Sequence, residues 1–509
     1  MTATRTRLEI SAVVTACVTL APLFCQGDTF HFLDQDGKDV ELEAHLVGAS
    51  PAAYVLETSD GQYHLVPRSA ARKRVASDGP EPLDAAGMAE RLEQEFTAER
   101  FRSYVQEPFT IGLVLGSPLP RTAEGQAKAL MRNVATFMKN VDSAFGRYVR
   151  DARIEAPPPS HPIVVLIFET KEDFERYASE ATQQDEDTTS RIAGFYSKLT
   201  NVLAIRLGEC RTFDTPLHEA IHQQVYARGI FRRLAPIPTW FDEGIATGFE
   251  ANSGKINVGP GKISVRYANQ ALEATRVNWT DLLASNDAFR SPELVDDAYG
   301  LSWGLHWLLV TRYKTQYAAY MRLLGQKPVL GQDDAGQRQA DFQQAFGNDL
   351  AEMQQEFRPA LELGLRNQRV ALNPRKPKGV STTEENLGQV QLTAVRHHNV
   401  AGGDVVASRL EVQGRLTNLS PLRALAFHVT VETGEATYAE WFIADLDSQK
   451  TSPLPAQNVT KNMMVRAGAA VGGAAANTFR VRIQSAPVDS DEARKWKSGQ
   501  LPVPVFGER

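Results

Sequence analysis

Hydrophobic and polar positions alternate in short runs from Asp28 to about Arg74. They predict strands at Phe30–Phe32, Val40–Leu46, Ala53–Thr58 and Tyr63–Val66. Asp36-Gly37 and Asp60-Gly61 stand between them at hairpin spacing, so this stretch is expected to be a small β unit. Ser77, Asp78, Gly79, Pro80 and Pro82 then mark a linker. From Ala86 the period changes. Helical spacing is read over Ala86–Val105 and Ala123–Phe145, and strands over Phe109–Leu115 and the unbroken apolar run Ile163–Phe168. Ala193–Ile205 reads as extended, and helices follow to about Leu365. Pro374, Pro377 and Gly379 mark a second boundary. Beyond it, strand patterns at Val390–Val395, Leu410–Leu416, Ala424–Val431 and Phe479–Ile483 predict a β-sandwich, with the Ala/Gly tract Ala467–Ala476 as a loop. The expected fold is therefore multidomain α+β: a leader over 1–27, a β-barrel-like unit over 28–75, a linker over 76–85, a large mixed domain over 86–370 and a β-sandwich over 371–509.

A chain of 509 residues, 42% apolar and 23% charged, has the composition of soluble multidomain proteins. The net charge of -6, with no strongly basic domain, argues against nucleic acid as a partner. The longest apolar run, Ile10–Phe24, is short for a membrane helix. With Arg5 and Arg7 before it and Cys25, Gln26 and Gly27 after it, the run has the layout of a secretory signal cleaved near Gly27. This predicts an exported chain, periplasmic or extracellular, without stable membrane insertion once the signal is removed; an uncleaved anchor is the alternative. Phe24 is too bulky for a lipid-attachment site at Cys25. Cys17 and Cys25 lie in the leader, leaving Cys210 as a lone, buried thiol with no disulfide framework.

His218-Glu219-Ala220-Ile221-His222 changes the picture more than composition does. Two histidines at i and i+4 on a helix share one face and can reach one metal, with Glu219 beside them. Thr215-Pro216 supplies a helix start, and Leu217, Ile221 and Val225 supply an apolar stripe. A third ligand is expected from Glu243, in the segment Pro238–Gly248. There Thr239 and Asp242 fit a capping box, Gly244 and Gly248 would let a second helix lie close to the first, and Thr247 would reach a metal histidine. His306, on an apolar helix, is read as a core histidine, and His397 and His398 as surface residues.

His-Glu-x-x-His followed by Trp240-Phe241-Asp242-Glu243-Gly244 resembles the gluzincins, zinc peptidases whose third ligand is a glutamate. The likeness spans roughly Ala86–Arg369. It is closest to the peptidase-MA-like families of exported bacterial proteins and more distant from the aminopeptidase N family. The resemblance implies a zincin-like metallopeptidase domain binding one Zn2+ per chain through His218, His222 and Glu243. It also implies Glu219 as general base and Tyr299, in Ala298-Tyr299-Gly300, as the oxyanion donor. The substrate would be a peptide or protein, bound along the edge of the extended segment Ala193–Ile205, with a hairpin at Lys255–Tyr267 on the rim. No Gly-x-Met-Glu-Asn element precedes His218, and Thr247 stands where thermolysin-like enzymes carry Asp, so neither subfamily's specificity is expected. Two alternatives stay open: a non-catalytic zincin-fold scaffold of the cell envelope, and a hydrolase of non-protein amides. His, His and Glu also suit Co, Mn or Ni.

Overall fold

The computed structural model describes residues 27–34, 36–182, 193–211, 214–250, 256, 259–347, 350–372, 381–401, 404–433, 436–458 and 480–498. The leader up to Gln26, the Pro374–Gly379 boundary and the Ala467–Ala476 loop lie outside the described residues. The chain divides into two compact units. One comprises residues up to Thr58 with His64–Glu81; the other comprises Ser59–Tyr63 with everything from Pro82 onward. Among the described residues no helix is long and apolar enough to cross a membrane.

In the first unit, strands β1 (Gly27–Leu33), β2 (Asp39–Ala49), β3 (Ala53–Glu57), β4 (Tyr63–Pro67) and β5 (Ala71–Ala76) form one sheet in the order β4-β3-β2-β1-β5. Phe30, Ala44, Leu56 and Val66 make its core. The expected barrel does not close, because β4 and β5 are both edges and are not hydrogen-bonded to each other. β5 itself was hidden in the sequence. Its Arg72-Lys73-Arg74 run has no apolar alternation, yet its backbone pairs with β1 from Asp28 to Phe32.

The second unit is mixed. β6 (Phe101–Gln106), β7 (Phe109–Val114), β8 (Ile163–Phe168), β9 (Gly194–Tyr196) and β10 (Val202–Arg206) form a sheet in the order β6-β7-β8-β10-β9. The three inner strands are parallel; β6 and β9 run antiparallel to their neighbours. Every residue of β8 is buried because both faces of the sheet are covered. Ile163, Val165 and Ile167 join helix α2 (Glu124–Asp151), while Val164, Leu166 and Phe168 join α1 (Ala85–Phe96) and α3 (Lys171–Thr182). The helix expected over Ala86–Val105 ends at Phe96. Thr97 turns to φ 65°, and Phe101 pairs with Val114 instead. Ala193–Ile205 is not one strand but the hairpin β9–β10, turned at Asn201 (φ 59°), a conformation asparagine tolerates.

Helices fill the middle of the chain: α4 (Asp214–Ala227), α5 (Thr239–Gly248), α6 (Val265–Glu273), α7 (Trp279–Ala284), α8 (Asp287–Arg290), α9 (Val295–Arg312), α10 (Lys314–Gly325), α11 (Ala335–Phe346) and α12 (Leu350–Gln368). Among the described residues the predicted Lys255–Tyr267 hairpin is not formed. Gly259–Gly261 turns into α6, and the local bridge joins Glu250 to Ile256. The C-terminal strands make two antiparallel sheets. One is β11 (Ser381–Glu385), β12 (Gly388–Ala401), β13 (Asp404–Asn418) and β16 (Thr451–Asn458); the other is β15 (Ala436–Leu446), β14 (Leu425–Thr433) and β17 (Arg480–Pro487). They meet closely at Gly388, where an added Cβ would lie 2.6 Å from Ile483 and 3.1 Å from Phe427. A last helix, α13 (Asp491–Lys497), packs Trp496 near Ala426 and Ala486. Arg423 reaches back to Glu169, directly after β8, in a buried ion pair of 2.8 Å.

Ser59–Tyr63 belongs to the second unit although the strands on either side of it belong to the first. Asp60 pairs with Arg91 at 2.6 Å, and the Tyr63 N–H donates to the Leu199 carbonyl at 2.7 Å. The Arg233 guanidinium lies 3.5 Å from the centre of the Tyr63 ring.

Candidate metal centre

α4 is buried nearly all round, so its polar residues face protein rather than water. Leu217, Ile221 and Val225 form the buried stripe, and Gln223 donates to the Val164 carbonyl of β8 at 2.8 Å. The helix begins at Asp214, two residues before the Pro216 start that a Thr215 cap implies, and Thr215 donates instead to Glu209 at 3.0 Å.

His218 and His222 project from α4 and Glu243 from α5, and their ligand atoms all fall within 4.8 Å of one another. His218 Nε2 is 2.9 Å from Glu243 Oε2 and 3.2 Å from His222 Nε2; His222 Nε2 is 3.6 Å from the same carboxylate oxygen. The other nitrogen of each ring meets a carboxylate: His218 Nδ1 donates to Glu250 at 2.9 Å, and His222 Nδ1 to Asp242 at 3.1 Å. Both rings are thereby turned so that Nε2 faces the common point, the orientation that carboxylate partners give metal-binding histidines. Tyr267 donates to both oxygens of Glu250, at 2.8 and 2.9 Å. Asp242 accepts from Lys198 at 2.9 Å and from Tyr226 at 2.7 Å.

With Glu219, which follows His218 in α4, four carboxylates stand around two imidazoles and one ammonium, a cluster short of positive charge. Burial opposes charging the histidines, but Asp242 and Glu243 outweigh it at His222 and push its imidazole up to about 9. At His218, burial is likewise overcome by Glu243 and Glu250. Burial would raise Glu243 and Asp242, yet the facing imidazoles, and Lys198 at Asp242, hold both carboxyls well below the usual range. Two imidazole nitrogens and a carboxylate oxygen, held by hydrogen-bonded neighbours in a cation-deficient pocket, fit a divalent ion with nitrogen and oxygen preference.

Glu219 is half-buried beside the pair, and its Oε2 accepts the Tyr196 N–H of edge strand β9 at 2.9 Å. Burial raises its carboxyl pKa, with the two imidazoles opposing. Tyr299 on α9 lies with its ring centre 6.2 Å from that of His218. Burial and the nearby Glu243 and Glu219 hold its phenol proton in place.

Three local expectations are corrected. Asp242 does not cap α5, whose start carries no side-chain cap; it faces His222 instead. Thr247 reaches no histidine, because its hydroxyl donates back to the Glu243 carbonyl at 2.8 Å. Gly244 and Gly248 do not face α4. An added Cβ would lie 2.8 Å from His306 at Gly244, and 2.6 Å from Pro260 at Gly248. His306 is a fully buried core residue, and Cys210 a buried thiol whose pKa burial raises. His397 and His398 lie on strand β12, with side chains outside the described residues. Glu250, Tyr267, Lys198 and Tyr226 carried no motif. Only the adjacency of Asp242 to Glu243, and the position of Glu250 about two helical turns beyond Glu243, could have pointed to the carboxylate partners.

Residues 213–330, the stretch holding all five predicted site residues, match a family described as "Protein of unknown function (DUF1570)". A search of curated proteins finds no match.

Proposed function

We propose that this chain is an exported, zinc-dependent peptidase with a zincin-like domain of the gluzincin kind. The observation that carries this reading is the convergence of His218 Nε2, His222 Nε2 and Glu243 Oε2, each histidine held from behind by a carboxylate. His218, His222 and Glu243 would hold the zinc, which when bound would act as a Lewis acid and lower the pKa of water toward about 7. Glu219, within the same cluster, accepts the water proton and passes it to the leaving amine. Tyr299 keeps its phenol proton and donates it as a hydrogen bond to the oxyanion. Edge strand β9 offers an extended peptide its outward backbone groups other than the Tyr196 N–H, which Glu219 already holds. The leader pattern at the start of the sequence supports export.

The test is metal content followed by cleavage. About one zinc per chain is expected in the wild type, with much less in Glu243→Ala, by elemental analysis after purification without added metal. Glu219→Gln should retain zinc and lose at least ~100-fold in turnover of a peptide library. If wild type and Glu219→Gln both hold zinc and are equally inert on peptides and on cell-wall fragments, the chain is a metal-holding scaffold. Cleavage of wall fragments alone would make it a hydrolase of non-protein amides.

A further inference from the structure

A second concentration of chemistry lies in the N-terminal unit, away from any motif. Between Gly27 and Glu81 stand five basic residues, Lys38, Arg68, Arg72, Lys73 and Arg74, against ten acidic ones. Four of the five cations line a single concavity of about 310 Å³, and no carboxylate lines it. Its floor is apolar, with Phe32, Leu46 and Tyr54 left half-buried around the core. Arg74 is committed to Asp28 at 2.6 Å, and Arg68 lies over the Tyr54 ring at 4.5 Å while donating to the Ser50 carbonyl. Arg72 and Lys73 are exposed and have no ion-pair partner among the described residues. Both belong to β5, an edge strand paired with β1 on one side only, so the backbone groups of its other side are open to a further strand.

We propose that this concavity binds an extended acidic peptide segment carrying one large apolar side chain. The apolar floor takes that side chain, Arg72 and Lys73 take flanking carboxylates, and the free edge of β5 takes the backbone. Charge distribution selects this occupant. A long phosphate polymer would meet the acidic remainder of the unit as soon as it left the four cations, whereas a short acidic stretch fits within them. The volume suits one large side chain, at the lower end of small-ligand pockets at about 300 Å³. The proposal stands apart from the peptidase reading, since none of these residues touches the metal cluster.

The experiment is fluorescence anisotropy on the full-length mature chain carrying Glu219→Gln, so that cleavage cannot intrude. The probe is a labelled peptide on the order of ten residues, rich in Asp and Glu around one Phe. Binding is expected to weaken with added salt, and to weaken at least ~10-fold on Arg72→Glu with Lys73→Glu. Both positions are exposed, so circular dichroism and thermal unfolding of the double variant should match the parent. Equal binding of a Gln/Asn version would overturn the proposal, as would equal binding of a version with Gly in place of Phe or of an oligothymidylate. So would undiminished binding by the double variant, or no binding of the acidic peptide at all.

Discussion

Glu250 shows how a residue without a motif completes the cluster. It receives His218 Nδ1 while the Tyr267 hydroxyl holds its two oxygens, so the ring cannot turn its Nε2 away without losing a carboxylate partner that is itself fixed in place. Glu250→Gln should therefore weaken zinc binding by about 10–100-fold, read by competition with a chromogenic chelator. Unchanged affinity would mean that His218 is oriented by packing alone. His306 makes a separate prediction. It is fully buried, one ring nitrogen meets the Tyr317 hydroxyl at 2.9 Å and the other has no hydrogen-bond partner among the described residues, and burial lowers its pKa to about 3. In the unfolded chain the same imidazole titrates near the usual value of about 6.5, so the unfolded state takes up the proton first. Stability from keeping His306 neutral is complete above about pH 6.5 and is lost as pH falls toward 3, at about 1.4 kcal/mol per pH unit. Urea unfolding of metal-free wild type and His306→Gln across that range should show their difference shrinking with acid. A constant difference would refute the assignment.

At the scale of elements, the close approach of α5 to α9 rests on Gly244. A Cβ there would sit 2.8 Å from the His306 Cβ and 3.0 Å from the Ser302 carbonyl oxygen, neither of which can swing aside. Alanine favours a helix over glycine by about 1 kcal/mol, but overpacking costs about 1–3 kcal/mol. Gly244→Ala should thus lower the stability of the chelator-treated protein by up to about 2 kcal/mol in urea unfolding; a stabilised variant would show that α9 can retreat. Which elements were legible follows the same logic of local versus distant causes. β8 was readable because both its faces are buried, leaving an unbroken apolar run. α4 was readable because its ligand spacing and its apolar stripe agree. β6 was not, since Phe101–Val105 continues a helical pattern that only the turn at Thr97 and the partner strand β7 interrupt. β16 was hidden by Pro453 and Pro455, which a strand tolerates at the edge of a sheet, where β16 lies. The partners of the histidines were illegible for a similar reason. Asp242 has the spacing of a cap, and only the placement of α4, β9 and α5 together turns it toward His222 and Lys198.

For the whole molecule, the connection from Ser59 to Tyr63 has a consequence for how the protein can be divided. Along the chain it is one hairpin loop of a small β unit; by its contacts it belongs to the second unit, resting on Leu199 and Arg233. Leu199 is next to Lys198, which holds Asp242, which holds His222. A cut at Pro82 would therefore not release the second unit whole. It would carry off Tyr63, leaving the Leu199 carbonyl to its longer, 3.4 Å hydrogen bond from Arg233 and that guanidinium unstacked. The leading strands are not an interchangeable cassette that recombination could append or exchange by joining at one point; any relative or engineered chimera that replaces them must bring its own substitute for those five residues.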